Sequence, residues 1–486
     1  MMKRRVRTIF LAAAALVAAP CAAWAQPAPA ASADAAAAEQ AAKAGMERWT
    51  SQGEAACLAK QPGCERMEEV LFNAAAAYRS VHRVDRAIAV WRLLIDPRHH
   101  LDTTELGKRA VLNLARDHQS IGDYEQAATF YEAYAQRAPK EKEAPDALTD
   151  AILLRLGLGQ IDPATRDAEL FAKNYGTKSR ARVAQVGLAI ADYHVEREAF
   201  KDAKKQLGSW MSSIDQSRAL DAQILAHTWL ARSLAGLGDT PGATAEYTKV
   251  RELGRDPQAL LNAIEKEDPG NMRRVGKALT GVGEALFFFA EQKRVEVDAV
   301  RFPEYKGPGT KESVMQHINT KVGPWVQKKR EAIAAAEKEY QKVLQIQPDP
   351  PPKWVVASAS RVGQMWGRFV AEYRAAPIPA EWRRKGSPPG STVSYADMRR
   401  NYYSALDEAS VPQKQQAKAA FRMCLDSSVK YQYFDRYSRA CASWLSKNYR
   451  AEYPQVDEFI PAIRGLGSPP FPATPAEEPE GRRASP

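Results

Sequence analysis

Apolar and small residues along the first half of the chain recur at intervals of three and four, which places them on one face of an α-helix. The stretch GDYEQAATFYEAYAQRAP, residues 122–139, shows the pattern: Ala127 is followed on the same face by Tyr131 and Tyr134. A second alanine, Ala115, lies 12 residues before Ala127 in another helical pattern. The sequence therefore predicts two helices joined by a Gly-Asp turn and ended by a proline.

The 12-residue spacing of two alanines recurs in three more places: Ala75 and Ala87, Ala191 and Ala203, and Ala231 and Ala243. Bulky residues follow the second alanine of each pair by four and seven positions: Trp91 and Leu94, Leu207 and Trp210, and Tyr247 and Val250. We interpret the alanines as the points where the two helices of a hairpin cross, because a larger side chain there would separate them. The bulky residues are expected to bury against the next hairpin.

These units resemble the tetratricopeptide repeat (TPR) family. The residues that carry the resemblance are Ala115, Gly122, Asp123, Tyr124, Ala127, Tyr131 and Pro139. The resemblance implies an all-α fold, a right-handed α-solenoid of TPR-like helix hairpins. Equivalent alanines of neighbouring units are 40 residues apart, against about 34 in most members, so longer loops between hairpins are expected. A degenerate unit is predicted at residues 145–175, with Ala164 at the crossing and Phe171 buried.

Hairpins in the second half of the chain keep their helices but separate them. Ala285 and Ala336 are the expected crossing residues of one hairpin, and Gly363 and Ala417 those of the next. Their wide spacing predicts two long insertions, at about residues 294–322 and 375–411, which are rich in turn residues. A last helix within residues 434–450 is expected to cap the array.

The chain begins with a pattern typical of an export signal. The basic start MMKRRVR precedes the apolar stretch TIFLAAAALVAA and a small-x-small cleavage motif at residues 23–25. Lipid attachment at Cys21 is not expected, because Pro20 stands where a small residue is required. We therefore predict a periplasmic protein whose mature chain has no transmembrane span.

The predicted organisation has five parts. They are a signal peptide at 1–25, an Ala/Pro-rich linker at 26–44, an N-terminal TPR-like array at 45–270, a C-terminal TPR-like array with insertions at 271–464, and a disordered Pro-rich tail at 465–486. The formal charge is +11, and it falls to +7 when the four cations of the leader are removed. A basic protein of this kind can contact anionic partners, although nucleic acid is not expected in the periplasm.

Four cysteines remain after the leader, an even number in a compartment that permits disulfides. Their spacing predicts two local disulfides, Cys57 with Cys64 and Cys424 with Cys441. A zinc site is the alternative for either pair, but no histidine lies close by in the sequence.

No sequence motif for catalysis or cofactor binding is present: the chain has no nucleophile elbow, phosphate-binding loop, HExxH or dinucleotide fingerprint. His99, His100 and Asp102 are candidate metal ligands, but a solvated loop is the preferred interpretation because no further ligand is evident in the sequence. We expect no enzyme activity, no cofactor and no metal.

Candidate partner-binding residues come from two regions. TPR-type arrays bind peptides or domains along the concave face, which helix A of each hairpin lines. The outward helix A positions nominated here are Phe72, Asn73, Arg79, Arg109, Leu112, Asn113, Arg116 and Gln119. The second insertion adds an exposed basic and aromatic loop with Trp382, Arg383 and Arg384. A merely solvated insertion is the alternative for that loop.

Three functions remain open from the sequence. The first is a periplasmic adaptor that holds other envelope proteins together. Residues 350–379, PPPKWVVASASRVGQMWGRFVAEYRAAPIP, are similar to the TPR component of the gliding motility apparatus of myxobacteria, which implies an envelope-spanning machine. The second is a peptidoglycan or glycan binder that uses Trp382 and the aromatic cluster at residues 431–437. The third is an enzyme with its site in the insertions.

Overall fold

The computed structural model describes residues 67–217 and 219–454, together with the isolated positions 37 and 40. The predicted signal peptide, Cys21, the Cys57–Cys64 pair and the Pro-rich tail lie outside the described residues, as does most of the linker. Within the described part of the chain the regular elements are helices and no strand occurs. The all-α array of tandem helix hairpins is thereby confirmed, whereas the right-handed sense of the superhelix stays a prediction.

The chain forms two compact units, Met1–Ala285 and Leu286–Pro486. The predicted domain boundary after residue 270 falls before the helix in which the two units divide. The helices that begin in the first unit are α1 (Met67–Ser80), α2 (Val84–Leu94), α3 (Glu105–Ser120), α4 (Tyr124–Arg137), α5 (Ala144–Gly157), α6 (Ile161–Tyr175), α7 (Arg180–Glu196), α8 (Phe200–Gln216), α9 (Leu220–Gly236), α10 (Thr240–Leu253), α11 (Pro257–Glu267) and α12 (Met272–Ala299).

Local chemistry starts and ends these helices. Thr104 and Asp239 accept hydrogen bonds from backbone N–H groups of the first turns of α3 and α10, which satisfies donors that have no partner inside the helix. The hairpin turns need a left-handed residue, and glycine supplies it at Gly122 (φ 81°) and Gly238 (φ 83°). The first and fourth hairpins place His82 and Glu198 there instead, at some conformational cost.

The helices of the first unit pack in the order of the chain. From α1 to α10 each helix contacts the next one, and odd-numbered helices also contact each other: α1 with α3, α5 with α7, α7 with α9, and α9 with α11. The odd-numbered helices therefore form one row, which is the helix A row of the sequence analysis. The predicted crossing residues are fully buried, as predicted: Ala75, Ala87, Ala115, Ala127, Ala164, Ala191, Ala203, Ala231 and Ala243.

The second unit continues with longer helices and the two insertions. Its elements after α12 are α13 (Lys311–His317), a π-helical turn (Ile318–Val322), α14 (Gly323–Leu344), α15 (Pro352–Arg374), a 3₁₀ turn (Ala380–Arg383), α16 (Tyr395–Ala409), α17 (Val411–Tyr431) and α18 (Arg436–Asn448). Gly363 of α15 is a close crossing point, since a Cβ there would lie 2.8 Å from the ring of Phe421 on α17.

The last helix of the described chain, α18, packs on both α15 and α17. A disulfide between Cys424 and Cys441 joins α17 to α18, with the two Cα atoms 6.4 Å apart. This confirms the second of the two predicted disulfides. No helix in the described residues has the length and the apolar character that a membrane crossing requires.

Candidate functional site

A groove of about 1000 Å³ opens on the helix A row of the first unit. It is lined by α5, α7 and α9, and by the residues where α11 ends and α12 begins. Leu156, Leu188 and Leu225 form a buried apolar floor, and the rim carries Leu153, whose side chain is 52% exposed. An exposed leucine above an apolar floor is the combination by which grooves take up apolar side chains of a partner.

One wall of the groove is held by a buried ion pair between α9 and α12. Asp221 is only 5% exposed, and both of its oxygens accept hydrogen bonds of 3.0 Å from Arg274. The same guanidinium also donates to Glu267 at 3.2 Å. Burial would lower the pKa of Arg274, but the Asp221 carboxylate outweighs it and keeps that pKa above its usual value. The pair therefore fixes the wall rather than offering a free charge.

A second ion pair crosses the groove. The Lys277 ammonium of α12 lies 2.7 Å from a carboxylate oxygen of Asp192 on α7. It also lies 5.1 Å from the centroid of the Trp229 ring on α9, within the range of a cation–π contact. The indole face of Trp229 is thus covered by a pair that water can reach, since the Lys277 side chain is about half exposed.

The nominated positions on α1 and α3 lie on the same row as the groove, but they do not line it. The structure brings together Phe72 and Arg109, whose guanidinium carbon lies 5.4 Å from the ring centroid, and Arg79 and Asn113, joined by a 3.2 Å hydrogen bond. Asn73, Arg109, Arg116 and Gln119 are exposed, as expected. Their role in binding stays a prediction.

Leu112 was expected to face outward, and this is wrong. Its side chain is buried in the same hydrophobic core as Leu148 of α5, because α3 is followed closely by the next hairpin. Phe72 and Arg79 are half-buried rather than free: Phe72 packs edge-on against Trp91, and Arg79 forms an ion pair with Asp117 at 2.7 Å.

The expected exposure of Trp382 is also wrong. Its side chain is 5% exposed, its indole N–H donates to the Gly309 carbonyl at 2.9 Å, and its ring packs edge-on against Tyr402. Trp382 forms a small core with Val314 and Tyr395. The two insertions therefore fold against each other, and Trp382 is the residue around which they pack. Arg383 and Arg384 are exposed, as predicted.

The groove itself was missed by the sequence analysis, although a signal for it existed. Asn73 and Asn113 were nominated because each stands two residues before a crossing alanine. Ala189 and Trp229 occupy the same register before Ala191 and Ala231, and both line the groove. The position two residues before the crossing alanine, taken in every hairpin rather than in the first and second alone, predicts a site on α7 and α9.

A buried ionic cluster ties three consecutive helices together beneath this row. Arg155 of α5 donates two hydrogen bonds to the Glu132 carboxylate of α4, at 2.6 and 3.0 Å. Asp167 of α6 is buried beside Glu132, and burial together with that negative charge raises the pKa of Asp167 to about 7. The cluster lies away from the groove, so we assign it to helix packing.

In the described part of the chain, no group of three His, Cys, Asp or Glu side chains is arranged to hold a metal ion. His99 is buried in a 3₁₀ turn, and its Nδ1 lies 2.8 Å from the Leu93 carbonyl oxygen. The side chain is therefore hydrogen-bonded to the backbone and does not lie in a solvated loop.

No protein-family model and no curated protein matches the chain. Among solved structures, the crystal structure of BtubC (BKLC) from P. vanneervenii is 14% identical with a TM-score of 0.27, and the match covers 48% of this chain and 92% of that one. The structure of Naa15/Naa10 bound to HypK-THB is 10% identical with a TM-score of 0.31, covering 86% and 58% of the two chains. A circular tandem repeat protein with novel repeat topology is 12% identical with a TM-score of 0.17, covering 87% and 93%. Likenesses this distant carry no argument about function.

Proposed function

We propose that this protein is a non-enzymatic scaffold of the cell envelope that holds a segment of a partner protein in the groove of its first unit. The observation that carries the proposal is the groove itself: an apolar floor with Leu153 exposed above it, on the row of helices that remains accessible in a helix-hairpin array. Two cations on the rim already have partners within the unit: Arg274 pairs with Asp221, and Lys277 pairs with Asp192. Apolar side chains of the partner would therefore supply most of the binding free energy.

The family and the location belong to the same proposal. The spacing of Ala115, Ala127 and Tyr131 supports a TPR-type array, and the leader at residues 1–25 supports export to the periplasm. The narrower assignment, to a gliding motility machine, rests on the similarity of residues 350–379. A strain that lacks the gene and still glides normally would remove that narrower assignment while leaving the scaffold intact.

Glycan binding is not favoured as a second function. Glycan binding requires Trp382 and the aromatic cluster at residues 431–437 as stacking surfaces, but Trp382 is buried between the two insertions and Tyr437 is buried against Phe287. Phe434 remains exposed and Tyr431 and Tyr433 are half-buried, so less of the cluster is accessible to a polymer than the sequence predicts.

The proposal is tested by cross-linked co-purification from envelopes with two matched variants. Leu153→Arg places a charge in the groove, whereas Leu237→Arg changes another exposed leucine, 39% exposed, that does not line it. Both substitutions fall at exposed positions, so folding should change by about 0.5 kcal/mol or less. A partner lost with Leu153→Arg and kept with Leu237→Arg is the expected result. A partner set that is identical for the wild type and both variants would contradict the groove as the binding surface.

A further inference from the structure

Three consecutive cations follow the 3₁₀ turn in the second insertion. Arg383, Arg384 and Lys385 are all exposed, and within the described residues none of the three side chains forms an ion pair or a hydrogen bond. The carboxylate beside them in sequence, Glu381, accepts a hydrogen bond from the Gly309 backbone N–H at 3.2 Å. These residues, 383–385, are called the basic turn below.

The basic turn is held on a fixed support. Trp382, directly before it, is the buried centre of the core between the two insertions, and its carbonyl accepts a hydrogen bond from Arg399 of α16. On the other side, the Tyr395 N–H donates to the Gly386 carbonyl at 2.9 Å. Since both ends are anchored, the backbone keeps three cations on one short segment, and an anion that contacts them is favoured.

An exposed aliphatic side chain belongs to the same loop. The hydrogen bond from Tyr395 to Gly386 closes a loop that contains Val393, which is 44% exposed. The Val393 backbone N–H donates to the Ser391 hydroxyl at 3.1 Å, and Gly390 has a left-handed φ of 75°, so the loop turns tightly before Val393. The closed loop that directly follows the basic turn therefore carries an exposed apolar side chain.

We propose that this loop docks on an anionic lipid surface, with the basic turn at the headgroups and Val393 at the apolar boundary. Cations beside an exposed aliphatic residue are the combination by which peripheral proteins bind such surfaces. An acidic protein would be matched by the cations alone and would leave Val393 unused. Asp397, the carboxylate at the start of α16, is already paired with Arg400 at 2.9 Å and forms no ion pair with the basic turn. The loop lies in the second unit, so this proposal stands or falls independently of the groove.

The test is vesicle flotation with the exported protein. Vesicles of equal parts phosphatidylglycerol and phosphatidylcholine are compared with vesicles of phosphatidylcholine alone. The variant R383Q/R384Q/K385Q removes the three charges, and K201Q/K204Q/K205Q is a matched control that removes three exposed charges from α8. V393S tests the aliphatic contact at constant charge. Circular dichroism of every variant checks that the helices are intact.

We expect the wild type to float with the anionic vesicles and not with the neutral ones, less so at high salt. The basic-turn variant should bind on the order of 100-fold more weakly, because its three cations together contribute about 3 kcal/mol near such a surface, and V393S should weaken binding by a smaller factor. The α8 control should bind as the wild type does. Flotation that is absent in the wild type, or reduced equally by the α8 control, would overturn the proposal. Binding to polyglutamate without binding to vesicles would overturn it in favour of an acidic protein partner.

Discussion

The ammonium of Lys277 on α12 lies 2.7 Å from the carboxylate of Asp192 on α7, although 85 residues separate them in the sequence. Both helices contact α9, and the pair covers the Trp229 ring of that helix. The pair therefore joins α7 to α12 over the indole ring of α9, so all three helices contribute to one wall of the groove.

Two cations one helical turn apart on α12 should differ sharply in their contribution to stability. Arg274→Met leaves Asp221 buried without its partner, and we expect a loss of about 3 kcal/mol in the free energy of unfolding. Lys277→Met breaks a pair that water reaches, so the loss should be below about 1 kcal/mol. Chemical denaturation of both variants measures the difference. Equal losses in the free energy of unfolding for the two variants would contradict the conclusion that Asp221 and Arg274 form a buried ion pair in the wall of the groove.

Adding a single methyl group to the glycine at the crossing of α15 and α17 should destabilise the second unit. A Cβ at Gly363 would lie 2.8 Å from the Phe421 ring, so Gly363→Ala should destabilise the second unit by about 1–3 kcal/mol through overpacking. Gly208→Ala on α8 is the control, because a Cβ there meets no atom within 4 Å and alanine favours the helix by up to about 1 kcal/mol. Calorimetric melting temperatures should shift in opposite directions. A rise for Gly363→Ala would refute the close crossing.

Acid should stabilise the first unit through Asp167. Its pKa is raised from 3.8 to about 7 in the folded protein by burial and by Glu132. Between these values the folded protein holds a proton that the unfolded chain releases, so the free energy of unfolding falls as the pH rises from about 4 to about 7. Asp167→Asn mimics the neutral carboxyl group and should stabilise the unit at pH 8 by on the order of 1–3 kcal/mol.

The control for this pH effect is Glu169→Gln, an exposed position on the same helix. Denaturant unfolding at pH 5 and pH 8 should give a smaller pH difference for Asp167→Asn than for the wild type, and an unchanged difference for Glu169→Gln. An unchanged difference in the Asp167 variant would mean that another group carries the pH dependence.

Much of the hairpin packing was predictable because its cause is local. A crossing point accepts only a small side chain, so Ala115 and Ala127 had to recur with the period of the hairpin, and each proved fully buried. Gly363 followed from the same argument in the second unit. The turn residues His82 and Glu198 were not predictable, because each occupies a left-handed position where glycine is the usual choice.

The site was less predictable because its contacts join distant parts of the chain. The packing of Trp382 on Gly309 connects two insertions across 73 residues of sequence, so the basic loop around the tryptophan predicts a surface residue where the structure has a buried one. The row geometry that places Leu153, Ala189 and Trp229 around one groove depends on how successive hairpins stack. Hydrophobic periodicity within one helix does not determine that stacking.

The central claim, that the groove binds a partner segment, is tested most directly by photo-crosslinking in the living cell. A photoreactive amino acid is placed at Leu153 or at Gln185, which both line the groove, and at Leu237, which does not. Crosslinks to the same envelope protein from positions 153 and 185, and none from position 237, are the predicted result. No crosslink from either groove position, or the same crosslinks from all three, would contradict the account.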